Sequence, residues 1–248
     1  MGKQPRPAAL EWGQRGPRVL LIHGITSSAR GWWRVGAEMA RAGYRVTAPD
    51  LRGHGDSPPG SDYLLASYAD DILALGREWD AVLGHSLGGA IAVIAEGKDR
   101  AFARRLVLED PVLSLPDPTG FIAQYTKPFD DPSAATILAQ NPKWHHQDAR
   151  IKAEALEATS PDVVRRTALE NQPWDLAPAT MGLDTPTLLI AADPAQGGFI
   201  APDLGERIAA ANPRVTFRAL SGSGHSMHRD SYEDFWQAVR DYLSDVGG

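Results

Sequence analysis

Residues 84–88 read Gly84-His85-Ser86-Leu87-Gly88, between the apolar run Ala81-Val82-Leu83 and the helix-like run Gly89-Ala90-Ile91-Ala92-Val93-Ile94-Ala95. A G-x-S-x-G pentapeptide alone says little; set between a short buried strand and a helix it says much more. So tight a turn leaves no room for side chains beside the serine, so glycine stands at both flanks. The serine is then held on a strained turn, its hydroxyl exposed above the strand end and the helix N-terminus beneath it. That is the geometry of a nucleophile. A serine hydroxyl attacks poorly until a neighbouring base takes its proton, so a histidine is required elsewhere in the chain. The adjacent pair His145-His146 suggests a metal at first sight. Neighbours on a helix do not share a face, and no metal is expected there.

The elements that must position Ser86 alternate along the chain. Strand-like runs lie at Arg18–Ile22, Tyr44–Ala48, Ala81–Leu83, Arg105–Glu109, Thr187–Ala191 and Val215–Leu220, with an edge strand near Ala8–Trp12. Most are continuously apolar, which suits strands covered by helices on both faces. Helical patterns fall at Gly31–Ala42, Asp62–Arg77, Gly88–Gly97, Asp203–Ala211 and Tyr232–Leu243. The alternation predicts an α/β protein with a mostly parallel central sheet flanked by helices. Between Asp110 and Pro186 no convincing strand appears, and a structureless loop of that length does not fit a compact domain. Helical stretches at Asp148–Thr159 and Pro161–Leu169, punctuated by prolines, predict an inserted helical cap over 114–179, with the sheet domain formed by 1–113 and 180–248.

Composition excludes several classes. A net charge of −6 offers no basic patch for nucleic acid or an anionic membrane. There is no cysteine, hence neither disulfide nor thiolate chemistry. The N-terminal Met1-Gly2-Lys3-Gln4-Pro5-Arg6-Pro7 lacks the apolar core of a signal peptide, and no apolar run approaches a membrane span. These features predict a cytoplasmic protein acting on a small molecule. Its oligomeric state is not legible in the sequence.

Taken together, the chain resembles the α/β-hydrolase family over nearly its whole length. The motifs that carry the resemblance are His23-Gly24 after the first strong strand, Asp50-Leu51-Arg52-Gly53-His54-Gly55-Asp56-Ser57 after the next, the Ser86 pentapeptide, and Gly222-Ser223-Gly224-His225 near the C-terminus. The resemblance implies the α/β-hydrolase fold, Ser86 as nucleophile and His225 as base, with His228 an accessory residue. It also implies an oxyanion hole from the backbone N–H groups of Ile25 and Leu87, and no cofactor. His54 and the Asp50–Ser57 run are expected to brace the region below the nucleophile.

The acid that orients the histidine is where the chain departs from the commoner pattern. In most relatives it follows the strand matching Thr187–Ala191, but here Asp193 falls two residues early and Pro194 follows it. Asp110, 24 residues after Ser86, matches the acid position of haloalkane dehalogenases and zearalenone-type lactone hydrolases, which this part of the chain resembles. Asp110 is the preferred acid, Asp193 the alternative, and Glu109 a third candidate. Every choice keeps the chain order Ser, acid, His.

Aromatic residues suggest the pocket. Trp33 beside the oxyanion loop, and Tyr125, Trp144 and Trp174 in the cap, are the candidate substrate contacts, which favours a medium-sized, partly apolar substrate. The expected activity is that of a cofactor-independent serine hydrolase, an esterase or lactonase working through an acyl-enzyme. C–C bond, amide, carbamate and thioester hydrolysis use the same triad, as does a ligand receptor built on this fold, so the motifs do not separate them.

Overall fold

In the computed structural model, which describes residues 7–244, the apolar runs form one seven-stranded sheet. The strands are β1 (Ala9–Trp12), β2 (Arg18–Ile22), β3 (Arg45–Pro49), β4 (Ala81–His85), β5 (Leu106–Glu109), β6 (Thr187–Ala192) and β7 (Val215–Leu220). Their spatial order is β1-β3-β2-β4-β5-β6-β7. β1 runs antiparallel to β3 at one edge, and the remaining pairs are parallel. β4, which carries the serine turn, is the central strand. The reading of Met1–Arg6 as free of a targeting signal lies outside the described residues.

Side chains of the inner strands alternate between two cores rather than between core and water. Val82 of β4 joins one apolar cluster while Ala81 and Leu83 join the other; Leu20 and Ile22 of β2 are opposed in the same way to Val19 and Leu21. This is why these strands read as unbroken apolar runs. Helices α1 (Trp33–Arg41) and α11 (Tyr232–Ser244) cover one face; α2 (Leu65–Leu73), α3 (Leu87–Lys98) and α9 (Pro202–Ala211) cover the other. No helix among the described residues is long and apolar enough to cross a membrane.

Between β5 and β6 the chain forms helices α4 (Pro118–Thr126), α5 (Ala134–Gln140), α6 (His146–Glu157), α7 (Pro161–Glu170) and α8 (Ala177–Met181). An isolated antiparallel bridge joins Ser114 to Asp175 at the base of this excursion. Beside it the Leu115 N–H donates to the Trp174 carbonyl at 3.0 Å, and the Leu176 N–H to that of Leu113 at 2.6 Å. Several of the helices carry their own start signals. Asp117 accepts from the Gly120 N–H at 3.0 Å ahead of Pro118, and Ser160 from the Asp162 N–H at 3.2 Å ahead of Pro161. α4 and α5 were not among the helical stretches expected above, although Asp117-Pro118 and the cap Ser133 announce them.

Candidate active site

β4 ends at His85 and α3 begins at Leu87, so Ser86 alone makes the turn. Its φ of 54° and ψ of −115° lie where L-residues are strained, a conformation held only when the surroundings over-determine it. They do so here by contact. A Cβ on Gly88 would stand 2.1 Å from the Ile22 carbonyl oxygen, and one on Gly84 2.5 Å from the Gly88 carbonyl oxygen. Only glycine fits at either flank. The Ser86 hydroxyl is buried and makes no hydrogen bond with the described residues.

His225 reaches the same place from the loop between β7 and the short helix α10 (Met227–Asp230). Its Nδ1 lies 2.6 Å from Oδ2 of Asp110, the residue immediately after β5, which is fully buried at a φ of 39°. The Asp110 carboxylate also accepts the backbone N–H groups of Phe199 at 3.0 Å, Ile200 at 3.2 Å and Ala192 at 3.4 Å. These donors lock its orientation and, through it, the tautomer and tilt of the imidazole. The opposite ring nitrogen, Nε2, has no hydrogen-bond partner and lines a cleft together with Ser86. The bond between Nε2 and the serine hydroxyl is not formed; in ligand-free sites such contacts are commonly long and close on substrate.

Asp193, the alternative acid, does not touch His225. Its carboxylate accepts the N–H groups of Ala195 at 2.9 Å and Gly222 at 2.8 Å, which hold its pKa below the ordinary aspartate value. It ties the loop after β6 to the loop that carries His225. Its offset in sequence carries it past the imidazole.

The loop after β2 is anchored from below. The buried His23 donates from Nδ1 to the Gly24 carbonyl at 2.8 Å and accepts the Leu51 N–H on Nε2 at 3.0 Å; burial pushes its pKa down to about 4, so it stays neutral. Asp50 accepts the Ala29 N–H at 2.7 Å and the Asp56 N–H at 3.0 Å, joining the Asp50–Ser57 run to the same loop. His54 is fully buried, with Nδ1 3.0 Å from the Arg52 carbonyl oxygen. A Cβ on Gly24 would stand 3.1 Å from that of Ser86, and Ile25 and Ser86 line the same cleft. The Leu87 N–H opens α3 and has no acceptor within the helix.

A second carboxylate–histidine pair lies behind the first. Glu109 accepts the His228 backbone N–H at 2.8 Å, and its carboxyl group lies 2.8 Å from the His228 Nδ1. Burial raises the Glu109 pKa to about 8 and holds His228 well below its ordinary value, so both groups favour their neutral forms. His85 donates from Nε2 to the His225 carbonyl at 3.1 Å. His85, Glu109 and His228 bring potential metal-ligand atoms within 4.8 Å of one another. Each already has a hydrogen-bond partner, and the group packs as a buried brace.

The cleft above Ser86 has a volume of about 460 Å³. Of the expected substrate contacts, Tyr125 and Trp144 line it. Trp33 and Trp174 do not. Trp33 turns aside to donate from Nε1 to Asp148 at 2.8 Å, while Trp174 is buried in the core with its Nε1 donating to the Val112 carbonyl at 2.8 Å. Each follows its indole N–H to an acceptor outside the cleft. Polar side chains share the walls, among them Gln124, Asn141, Lys152 and Arg229. The sequence reading missed these. Only the position of Arg229, four residues after His225, hinted at one of them.

A central parallel sheet, a strained serine between strand and helix, and a carboxylate-held histidine over one cleft define the class of the α/β hydrolases. The alpha/beta hydrolase family model matches residues 19–238, and the chain belongs to that family as a hydrolase. It is 28% identical to an N-formylmaleamate deformylase of Pseudomonas putida, over 94% of this chain and 91% of that one. A crystal structure of an N-formylmaleamic acid deformylase from Pseudomonas putida S16 superposes with a TM-score of 0.78 at 29% identity, covering 93% of this chain and 94% of that chain. An sn-1-specific diacylglycerol lipase of Mus musculus is 25% identical over 92% of this chain and 81% of its own length.

Proposed function

We propose that the protein is a cofactor-independent serine hydrolase that cleaves an ester or lactone through an acyl-enzyme. The observation that carries this reading is the 2.6 Å contact between Asp110 and His225, with the free Nε2 of that histidine and the free hydroxyl of Ser86 lining one cleft. His225 Nε2 takes the Ser86 proton as the oxygen attacks the substrate carbonyl, and Asp110 stabilises the imidazolium that forms. Negative charge on the carbonyl oxygen is met by the N–H groups of Ile25 and Leu87. As the tetrahedral intermediate collapses, His225 passes its proton to the departing alcohol oxygen. Water then gives a proton to His225 and attacks the acyl carbon; the acid leaves and Ser86 recovers its proton. The helices between β5 and β6 form a cap that closes the cleft and selects the substrate.

Amide hydrolysis is the second reading, favoured by the full-length likeness to a deformylase. It uses the same steps with an amine as leaving group. The purified protein should be assayed on aryl esters, lactones and N-formyl amides in parallel. Ser86→Ala should lose turnover by about 10⁴- to 10⁶-fold while remaining folded. A soluble Ser86→Ala protein that keeps more than about a hundredth of the wild-type rate, far above the loss expected for a nucleophile, overturns the reading.

A further inference from the structure

Three basic side chains line the cleft that holds Ser86; Lys143 is exposed and donates to the Gly222 carbonyl at 2.8 Å, whereas Arg229 and Lys152 are held inside it without an ion pair. Arg229, on α10, is only 7% exposed. Its Nη2 donates to the Ser27 hydroxyl at 3.2 Å, its Nε has no partner, and its guanidinium lies 4.7 Å from the centre of the Trp144 ring. Lys152, on α6, donates from Nζ to the Thr26 carbonyl at 2.6 Å and hydroxyl at 2.5 Å. Among the described residues, no carboxylate forms an ion pair with either. The nearby acids are engaged elsewhere: Asp148 accepts from Trp33, Asp230 from Trp144 and the Ser226 N–H, and Glu109 from His228. Burial, and then the charge of Arg229, lower the Lys152 pKa to about 7.

Two like charges held out of water without a direct ion-pair partner destabilise a fold unless something compensates them. Simple packing does not explain the arrangement, since apolar residues at these positions would avoid the cost. A ligand anion explains it: the orphaned Nε of Arg229 and the Lys152 ammonium line the same walls as Ser86. We propose that Arg229 and Lys152 seat a carboxylate of the substrate, so that the enzyme acts on small half-acids carrying a free carboxylate beside the scissile ester or amide. Asp148 and Asp230 lie near Arg229 and offset part of its charge, which favours a monoanion over a phosphate dianion, and the planar guanidinium matches a carboxylate. This inference rests on the hydrolase reading for the bond that is cut, but anion binding itself does not need catalysis.

Monomethyl succinate and dimethyl succinate differ only in one charge and one methyl group, and they test the seat. The wild type should favour the monoanion in kcat/KM. Arg229→Gln and Lys152→Met should each cut that preference by about 10- to 100-fold, chiefly through KM, the worth of one charge-assisted hydrogen bond. Lys152→Arg, which keeps the charge, should retain most of it. A wild type that favours the diester, or a preference unmoved by both neutral variants, overturns the proposal. Calorimetric titration of monomethyl succinate, a monoanion, into folded Ser86→Ala separates binding from chemistry. Saturable binding that is lost on adding Arg229→Gln supports the seat even if no ester is cleaved, whereas no binding overturns it even if esters are cleaved. Inorganic phosphate displacing monomethyl succinate with equal affinity overturns the assignment to a carboxylate.

Discussion

Glu109 and Asp110 are neighbours at the end of β5, and each holds a histidine from the segment after β7, yet the two pairs do different work. Adjacent residues at a strand end point to opposite faces of the sheet. Asp110 turns to the side of Phe199 and Ile200, where three backbone N–H groups meet its carboxylate, and the His225 it holds lines the cleft. Glu109 turns to the other face. His228 there is packed against Trp32, with ring centres 4.7 Å apart, and against His85 at 4.9 Å. A carboxylate–histidine contact is therefore not by itself a site. The Asp110 pair is anchored by outside donors and open to the cleft. The Glu109 pair is closed on all sides.

The difference can be broken most severely at the histidines. His225→Ala should lower turnover by about 10⁴- to 10⁶-fold, whereas His228→Ala should keep turnover within about a factor of ten and lose stability instead. Steady-state rates beside thermal melts on both variants read this directly, and equal losses of turnover would erase the distinction. The acids come next. Asp110→Asn should cost about 10⁴ in kcat, because the imidazole then adopts the wrong tautomer. Glu109→Gln should leave kcat close to wild type.

The Glu109 variant sharpens the comparison in stability. A carboxyl with a pKa raised to about 8 in the fold, against 4.5 for an ordinary glutamate, favours folding fully below 4.5 and loses that advantage as pH rises to about 8. Wild-type stability relative to Glu109→Gln should thus decline across that range and level off above it. Urea unfolding at several pH values measures the slope; a difference that instead rises with pH would mean the pair is ionised. Smaller still is a shift in anion binding. The Lys152 ammonium faces Arg229 from α10 and lies near His23 and His54. With a pKa of about 7 it is charged below that pH and neutral above it, so monomethyl succinate should bind Ser86→Ala more weakly at pH 8 than at pH 6. Calorimetry at the two values checks this, and Lys152→Met should remove most of the dependence. The least effect is expected at Asp193→Asn, which should lower the melting temperature slightly and leave kcat in place. A collapse of kcat there would show that the loop Asp193 braces, rather than the Asp110 contact, sets the histidine.

The alternation of strands and helices, the serine turn and the order of the motifs were all determined by the sequence. Local physics decides them. Unbroken apolar runs such as Val19–Ile22 form only strands covered on both faces, and Gly84 and Gly88 stand where any Cβ would strike backbone. The short helices α4 and α5 were also written there, in the caps Asp117 and Ser133, but a run without a strong apolar face is easily read as loop. What only the tertiary structure decided is which side chains meet. Asp110 and Asp193 both lie on loops at the strand ends, and a shift of two residues in register sends one to His225 and the other to the Gly222 N–H. Trp33, Trp144 and Trp174 are alike in composition, and the acceptor each indole finds separates the cleft residue from the other two. The pairing of Lys152 with Arg229 joins α6 to α10 across 77 positions of chain, and no local pattern encodes it. Contacts between elements distant in sequence depend on how whole helices pack over the sheet, and that is fixed by the fold as a whole rather than by any stretch of it.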